Sequence, residues 1–213
     1  MTEVGAAMCI SGHERAAAFP GEDDSMRMAD RVRKRWTVEE LYSLPEDGNK
    51  YELIHGELFV TPAPTPSHET ILARLTRVLD PYVAANDLGF VYRARAVVAV
   101  SDDTEVEPDL MVRQPAADSH ASWREVPLPI LVVEVASDST RRRDRVHKRN
   151  LYTELEISEY WMIDGEDGTV RIVRPGQSDV VATESLVWHP AGASEPLPIA
   201  ITEILGPISK SVP

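Results

Sequence analysis

Apolar and polar positions along the chain change period several times, and each change predicts an element. Thr37-Val38-Glu39-Glu40 reads as a helix N-cap followed by acidic first-turn residues, leading into Leu41, Tyr42 and Leu44 and stopped by Pro45. Tyr51-Glu52-Leu53-Ile54 and Glu57-Leu58-Phe59-Val60 flank His55-Gly56, a two-residue turn suited to a β-hairpin. After the stiff proline-rich connector at 61–66, Ile71, Leu72, Leu75, Val78, Leu79, Tyr82 and Val83 recur at helical spacing, with Pro66 suited to the first turn. Pro81 should kink this helix or mark a late turn. Residues 90–100 read as one strand, most buried at 97–100, and residues 101–107 as an acidic turn. Pro108 and Asp109 open the next strand. Further strands are predicted at 160–164, 169–173 and 180–183, and a basic helix follows the cap cluster Ser137-Asp138-Ser139-Thr140. Strands alternating with two long helices predict an α/β mixed sheet.

The central strand is Pro129-Ile130-Leu131-Val132-Val133-Glu134-Val135-Ala136-Ser137. Leu131, Val133 and Val135 alternate onto one face, and Val132, Glu134 and Ala136 onto the other. Glu134 is the odd residue in this apolar run. A buried carboxylate needs a cationic partner, a metal ion or a raised pKa, because desolvation disfavours its charged form. A core arginine would satisfy it as well as a functional site would.

Composition narrows the class. With 213 residues, 43% hydrophobic and 27% charged, the chain fits one soluble domain with a core of its own. The first 33 residues carry no period and read as a flexible extension, leaving 34–213 as the folded domain. The lack of a transmembrane-length run and of a signal-like start predicts a cytoplasmic protein with no membrane association. One cysteine, Cys9, excludes an intramolecular disulfide and a cysteine-based zinc cluster. The net charge of −13 repels nucleic acid as a whole and favours divalent cations, so any DNA contact must use a local basic patch or a bound metal.

Such a patch exists in Arg141, Arg142, Arg143 and Arg145, on the helix directly behind Glu134. On the same helix Asp144 and Lys148 are four residues apart and share a face. Asp109 and Glu134 on neighbouring strands can hold one hard divalent ion, which acidifies a bound water and offsets charge on a phosphodiester. Read singly, Lys148 is a solvated helix residue, the arginines an exposed face, Glu52 an outward strand residue and His68 a surface or capping residue. Read together, they are a candidate site.

The ordered set Tyr51-Glu52-Leu53-Ile54-His55-Gly56-Glu57-Leu58, His68, Glu107-Pro108-Asp109, Val133-Glu134-Val135-Ala136-Ser137, Asp144, Lys148, Tyr152 and Glu159-Tyr160-Trp161-Met162-Ile163-Asp164 resembles the Uma2-like (DUF820) restriction endonuclease family, within the PD-(D/E)XK nucleases. The resemblance runs from Trp36 to the C-terminus. It implies a restriction-endonuclease-like central mixed sheet flanked by helices, with an N-terminal β-hairpin, often used as a homodimer. It implies Mg²⁺ (or Mn²⁺) on Asp109 and Glu134, with DNA as substrate. The superfamily's lysine position, two residues after Glu134, is Ala136 here, and Lys148 on the helix is the matching basic residue. Glu52 matches the acidic residue of the first segment, and His68 and Asp144 are accessory candidates. The alternative is a catalytically inactive nuclease-fold module that binds nucleic acid or a protein partner.

Overall fold

A computed structural model describes residues 34–118, 120–136 and 144–206 of the chain. Residues 1–33, expected to form an extension, lie outside the described residues, as do Arg141, Arg142 and Arg143 and the side chains of Asp144 and Arg145.

The chain opens with a single helical turn, α1 (Val38–Leu41), held by a capping box in which Thr37 accepts from the Glu40 amide and Glu40 accepts from the Thr37 amide. The hairpin follows as expected: β1 (Lys50–Ile54) and β2 (Glu57–Thr61) pair antiparallel across His55 and Gly56. Both turn residues have positive φ, 48° and 77°, as a type I′ turn requires. Helix α2 (Pro66–Ala85) starts on a Thr65 cap with Pro66 in its first turn. It runs on past Pro81 to Ala85, so the proline interrupts nothing at the level of the helix.

The 90–100 stretch is not one strand. It splits into β3 (Phe90–Arg93) and β4 (Val98–Ser101), which join different sheets. The chain turns between them through Arg95, at φ 77°. Within the second half it is Val98 that is buried, while Val100 is exposed. The acidic stretch expected to be a turn contains a third short strand, β5 (Thr104–Val106), whose three residues are all buried. Strands β6 (Leu110–Arg113), β7 (Leu131–Ala136), β8 (Tyr160–Asp164), β9 (Thr169–Val173) and β10 (Val180–Ala182) complete the larger sheet, in the order β10-β9-β8-β7-β6-β3. Only β7 and β8 run parallel in it, and the other pairs are antiparallel. The smaller sheet has the order β2-β1-β5-β4. Near the C-terminus a further pair, β11 (Ser185–Trp188) and β12 (Leu197–Ala200), leads into a short helix, α4 (Ile201–Leu205). The pattern of apolar residues had not marked this pair.

The alternation along β7 sorts the core into two layers. Leu131, Val133 and Val135 join Trp161, Ile163, Val170 and Ile172 on the face covered by Leu72, Leu75, Leu79 and Val83 of α2 and by Ile201 and Ile204 of α4. Val132 lies on the opposite face with Met111, Tyr160 and Met162, against Ile54, Val98 and Val106 of the smaller sheet. A wide π-type turn, Asp144–Lys148, and the helix it feeds, α3 (Arg149–Glu154), supply Leu151 and Tyr152 to this second layer. Glu134 points into it.

Gly89 shows how closely β3 abuts β6. Its φ is +103°, and a Cβ there would stand 2.3 Å from the Arg113 carbonyl oxygen. Gly89→Ala is therefore expected to lower stability by about 2–4 kcal/mol, combining backbone strain with an overpacked contact. Urea unfolding measures it.

Candidate active site

Three strands bring the acidic residues together. Leu110 pairs with Val133, so one step back along β6 sets Asp109 opposite Glu134. The Val135 amide donates to Asp109 Oδ2 at 2.8 Å, tying the two strands at this point. β1 enters from the smaller sheet. Its Glu52, read from the local pattern as an outward residue, is completely buried, because both faces of β1 are covered here. Glu52 Oε1 accepts from the Glu107 amide at 3.0 Å, immediately before the Pro108-Asp109 pair.

The wide turn delivers the cation. Lys148 Nζ donates to Glu134 Oε1 at 2.6 Å and lies 2.8 Å from Glu52 Oε1. It is 0% exposed, far from the solvated helix residue that its local sequence suggested. Turns of this wide type are rare in helices and recur at functional sites. Phe59 of β2 packs on His147 with ring centroids 5.1 Å apart, which fixes the turn against the hairpin. Ala136, where the resemblance led to the expectation of a lysine, ends β7 on the same strand face as Glu134. The ammonium beside Glu134 comes from the helix side instead.

Two residues complete the cluster that the sequence reading did not assign to it. Tyr152 of α3 donates its hydroxyl to Glu134 Oε1 at 2.9 Å. Burial, then the Glu134 and Glu52 charges, push that hydroxyl well above the usual tyrosine range, so it stays a neutral donor. Lys50 Nζ bonds Asp109 Oδ1 at 2.9 Å and the Glu107 carbonyl oxygen at 3.0 Å. Burial alone would lower the lysine's pKa, but the charges of Glu52, Asp109 and Glu134 outweigh it and hold it above the ordinary range. A signal for Lys50 was available: it stands two residues before Glu52 on one strand, so once Glu52 points inward Lys50 shares its face.

His68, in the first turn of α2, takes the other side of Asp109, with Nε2 3.0 Å from Oδ2. Its Nδ1 is buried without a hydrogen bond among the described residues, 3.6 Å from Glu69 Oε1. Burial would push the Asp109 carboxyl up. The His68 hydrogen bond and the Lys50 and Lys148 charges overcome this and hold it well below the usual carboxylate range. For His68, burial again opposes the charged form, and the bond and charge of Asp109 with the Glu69 charge raise it overall.

These directions predict a pH profile for the metal-free protein. A carboxylate with a depressed folded pKa adds stability that is complete above its unfolded value, near 4, and is lost as pH falls below it. A histidine with a raised folded pKa adds stability that is complete below about pH 6.5 and is lost as pH climbs through the folded value. In chelator, urea midpoints should therefore decline on both sides of this window. His68→Gln should remove the alkaline decline and leave the acid one.

Asp109, Glu134, Glu52, Lys148 and His68 thus meet at one place, joined by Lys50 and Tyr152. The arginines proposed for nucleic-acid contact and the Asp144 side chain lie outside what the structure describes. Residues 38–200 match the family Uma2, described as "Putative restriction endonuclease". The chain belongs to the Uma2 family. The fold agrees with this: a crystal structure described as a "putative nuclease belonging to DUF820", from Anabaena variabilis ATCC 29413, superposes with a TM-score of 0.68 at 22% identity. The match covers 80% of this chain and 97% of that one. No curated protein matches the sequence. Uma2 membership places the chain among nucleases in general terms, and no helix among the described residues is long and apolar enough to cross a membrane.

The donor chemistry at the cluster fits a hard divalent ion. Lys50 Nζ is a positive charge already held there by oxygen atoms alone, from Asp109 and the Glu107 carbonyl. Among the described residues no three His, Cys, Asp or Glu side chains by themselves form a ready-made metal cage. Mg²⁺ takes one or two carboxylates and keeps several waters.

Proposed function

We propose that this protein hydrolyses phosphodiester bonds in DNA, as a divalent-metal-dependent endonuclease working in the cytoplasm. The observation that carries the reading is the meeting of Asp109, Glu134, Glu52 and Lys148, drawn from three strands and a helical turn far apart in sequence. A core that only needed packing would fill these positions with apolar residues, since buried ion pairs seldom stabilise more than a hydrophobic replacement does.

Asp109 and Glu134 would hold Mg²⁺ or Mn²⁺. When bound, the ion would supply an acidified water and charge neutralisation at the phosphate. The chain's own residues set the geometry. The Val135 amide and His68 fix Asp109 from two directions. Lys148 and Tyr152 both hold Glu134 Oε1, orienting that carboxylate against β6. Lys148 also keeps Glu52 in place, so it positions two acids at once. The arginines at 141–143 and 145 are the proposed backbone contacts with DNA, supplying the local positive charge that an acidic chain otherwise lacks. A homodimer would present two such sites to a duplex.

Incubating supercoiled plasmid with the protein and Mg²⁺ or Mn²⁺ tests the reading. Nicked and linear products that vanish with chelator support it, and an intact plasmid at every metal concentration contradicts it. One observation favours a second reading, a binding module without turnover: Glu52, Asp109 and Glu134 already face the two ammonium groups of Lys50 and Lys148. Carboxylate-independent DNA binding with no metal uptake would select it.

A further inference from the structure

We infer that Lys50 is a built-in, exchangeable counter-ion of the metal site: its ammonium holds the Asp109 oxygen that the divalent ion would use, and yields it when the ion binds. This rests on the metal-dependent reading above and adds a residue to it.

Three observations carry the inference. The first is the contact itself. Lys50 Nζ is bonded to Asp109 Oδ1 and to a main-chain carbonyl, a set of oxygen donors suited to any hard cation. The second is charge. Lys50 already sits against Asp109 and shares its surroundings with Glu52 and Glu134. A divalent ion added with Lys50 in place would raise the local charge by two, whereas an ion replacing Lys50 raises it by only one. Low local dielectric makes the difference count.

The third observation decides which lysine moves. The Lys148 side chain is 0% exposed and bridges two carboxylates, so it has no solvated position to retreat to. The Lys50 side chain is 19% exposed and stands at the first residue of its strand. A lysine has a flexible four-carbon stem and a strongly hydrated head, so it can swing to water with its backbone fixed. The site therefore stays charge-compensated without metal, which keeps Asp109 in place before the ion arrives.

The experiment is Mn²⁺ titration by calorimetry on the full chain, comparing wild type with Lys50→Met, Lys50→Arg and Asp109→Asn. Lys50→Met removes the competing charge and keeps the stem, so its Kd for Mn²⁺ should fall at least about tenfold, a modest share of a buried charge pair. Lys50→Arg should bind no tighter than wild type, and Asp109→Asn should lose the site. Thermal melts supply the second readout. Lys50→Met should melt below wild type in chelator, and saturating Mn²⁺ should close the gap. Wild type and Lys50→Met binding Mn²⁺ with one Kd would overturn the exchange while leaving the metal site intact. No Mn²⁺ uptake by any form would overturn the metal reading itself.

Discussion

Lys148→Met should be the most damaging single substitution for folding, costing about 3–5 kcal/mol at neutral pH, the usual penalty for stranding buried charge. The lysine is the shared partner of Glu134 Oε1 and Glu52 Oε1, and methionine would fill its volume without its charge. Two carboxylates would then face each other in a dry layer, where Tyr152 donates to Glu134 and the Glu107 amide to Glu52. Like charges so placed raise one another's pKa. The deficit should therefore shrink on acidification, as one of the pair takes up a proton. A deficit that stayed constant from pH 8 to pH 5 would point to packing loss instead. Urea unfolding across this range distinguishes the two.

Glu134→Gln should cost activity most, lowering plasmid cleavage by about 10²–10³-fold, the range seen when a single electrostatic element of a reaction centre is removed. Glutamine keeps the shape of the side chain but not its charge, and Lys148 retains Glu52 as a partner. The fold should survive, so a melting curve close to wild type must accompany the loss. Asp109→Asn should behave alike in cleavage and worse in stability, because Lys50, His68 and the Val135 amide all rely on that carboxylate. Cleavage unchanged in both variants would remove these acids from the chemistry.

The parts of the fold that could be read from the chain are those where local pattern and tertiary setting agree. The His55-Gly56 hairpin is set by positive-φ turn chemistry, and α2 by a single apolar face against one sheet. Glu134 was conspicuous because the strand around it is apolar on both faces. Glu52 was not. Its neighbours alternate as in a half-exposed strand, and its burial comes from contacts with residues more than fifty positions away. Lys148 was hidden for the same reason: a lysine among arginines looks solvated until the hairpin and β7 close over it. The merged reading of β3 and β4 failed at Arg95, where a non-glycine residue takes up a positive φ that nothing local announces. β11 and β12 are only 4 residues each, too short to establish a period, and β12 buries Ile199 alone. Lys50 was passed over because a lysine opening a strand is ordinary, and only the inward turn of Glu52 makes it otherwise.

Asp109 and Glu134 are proposed to form together a metal-binding hydrolytic centre. A crystal of the protein soaked in Mn²⁺, with the ion located by its anomalous signal, tests this most directly. One ion bonded to both carboxylates is expected, with the Lys50 ammonium drawn away from Asp109 and Lys148 still bridging Glu134 and Glu52. An ordered site with Lys50 still on Asp109 and no manganese at either acid, at saturating concentration, would contradict it.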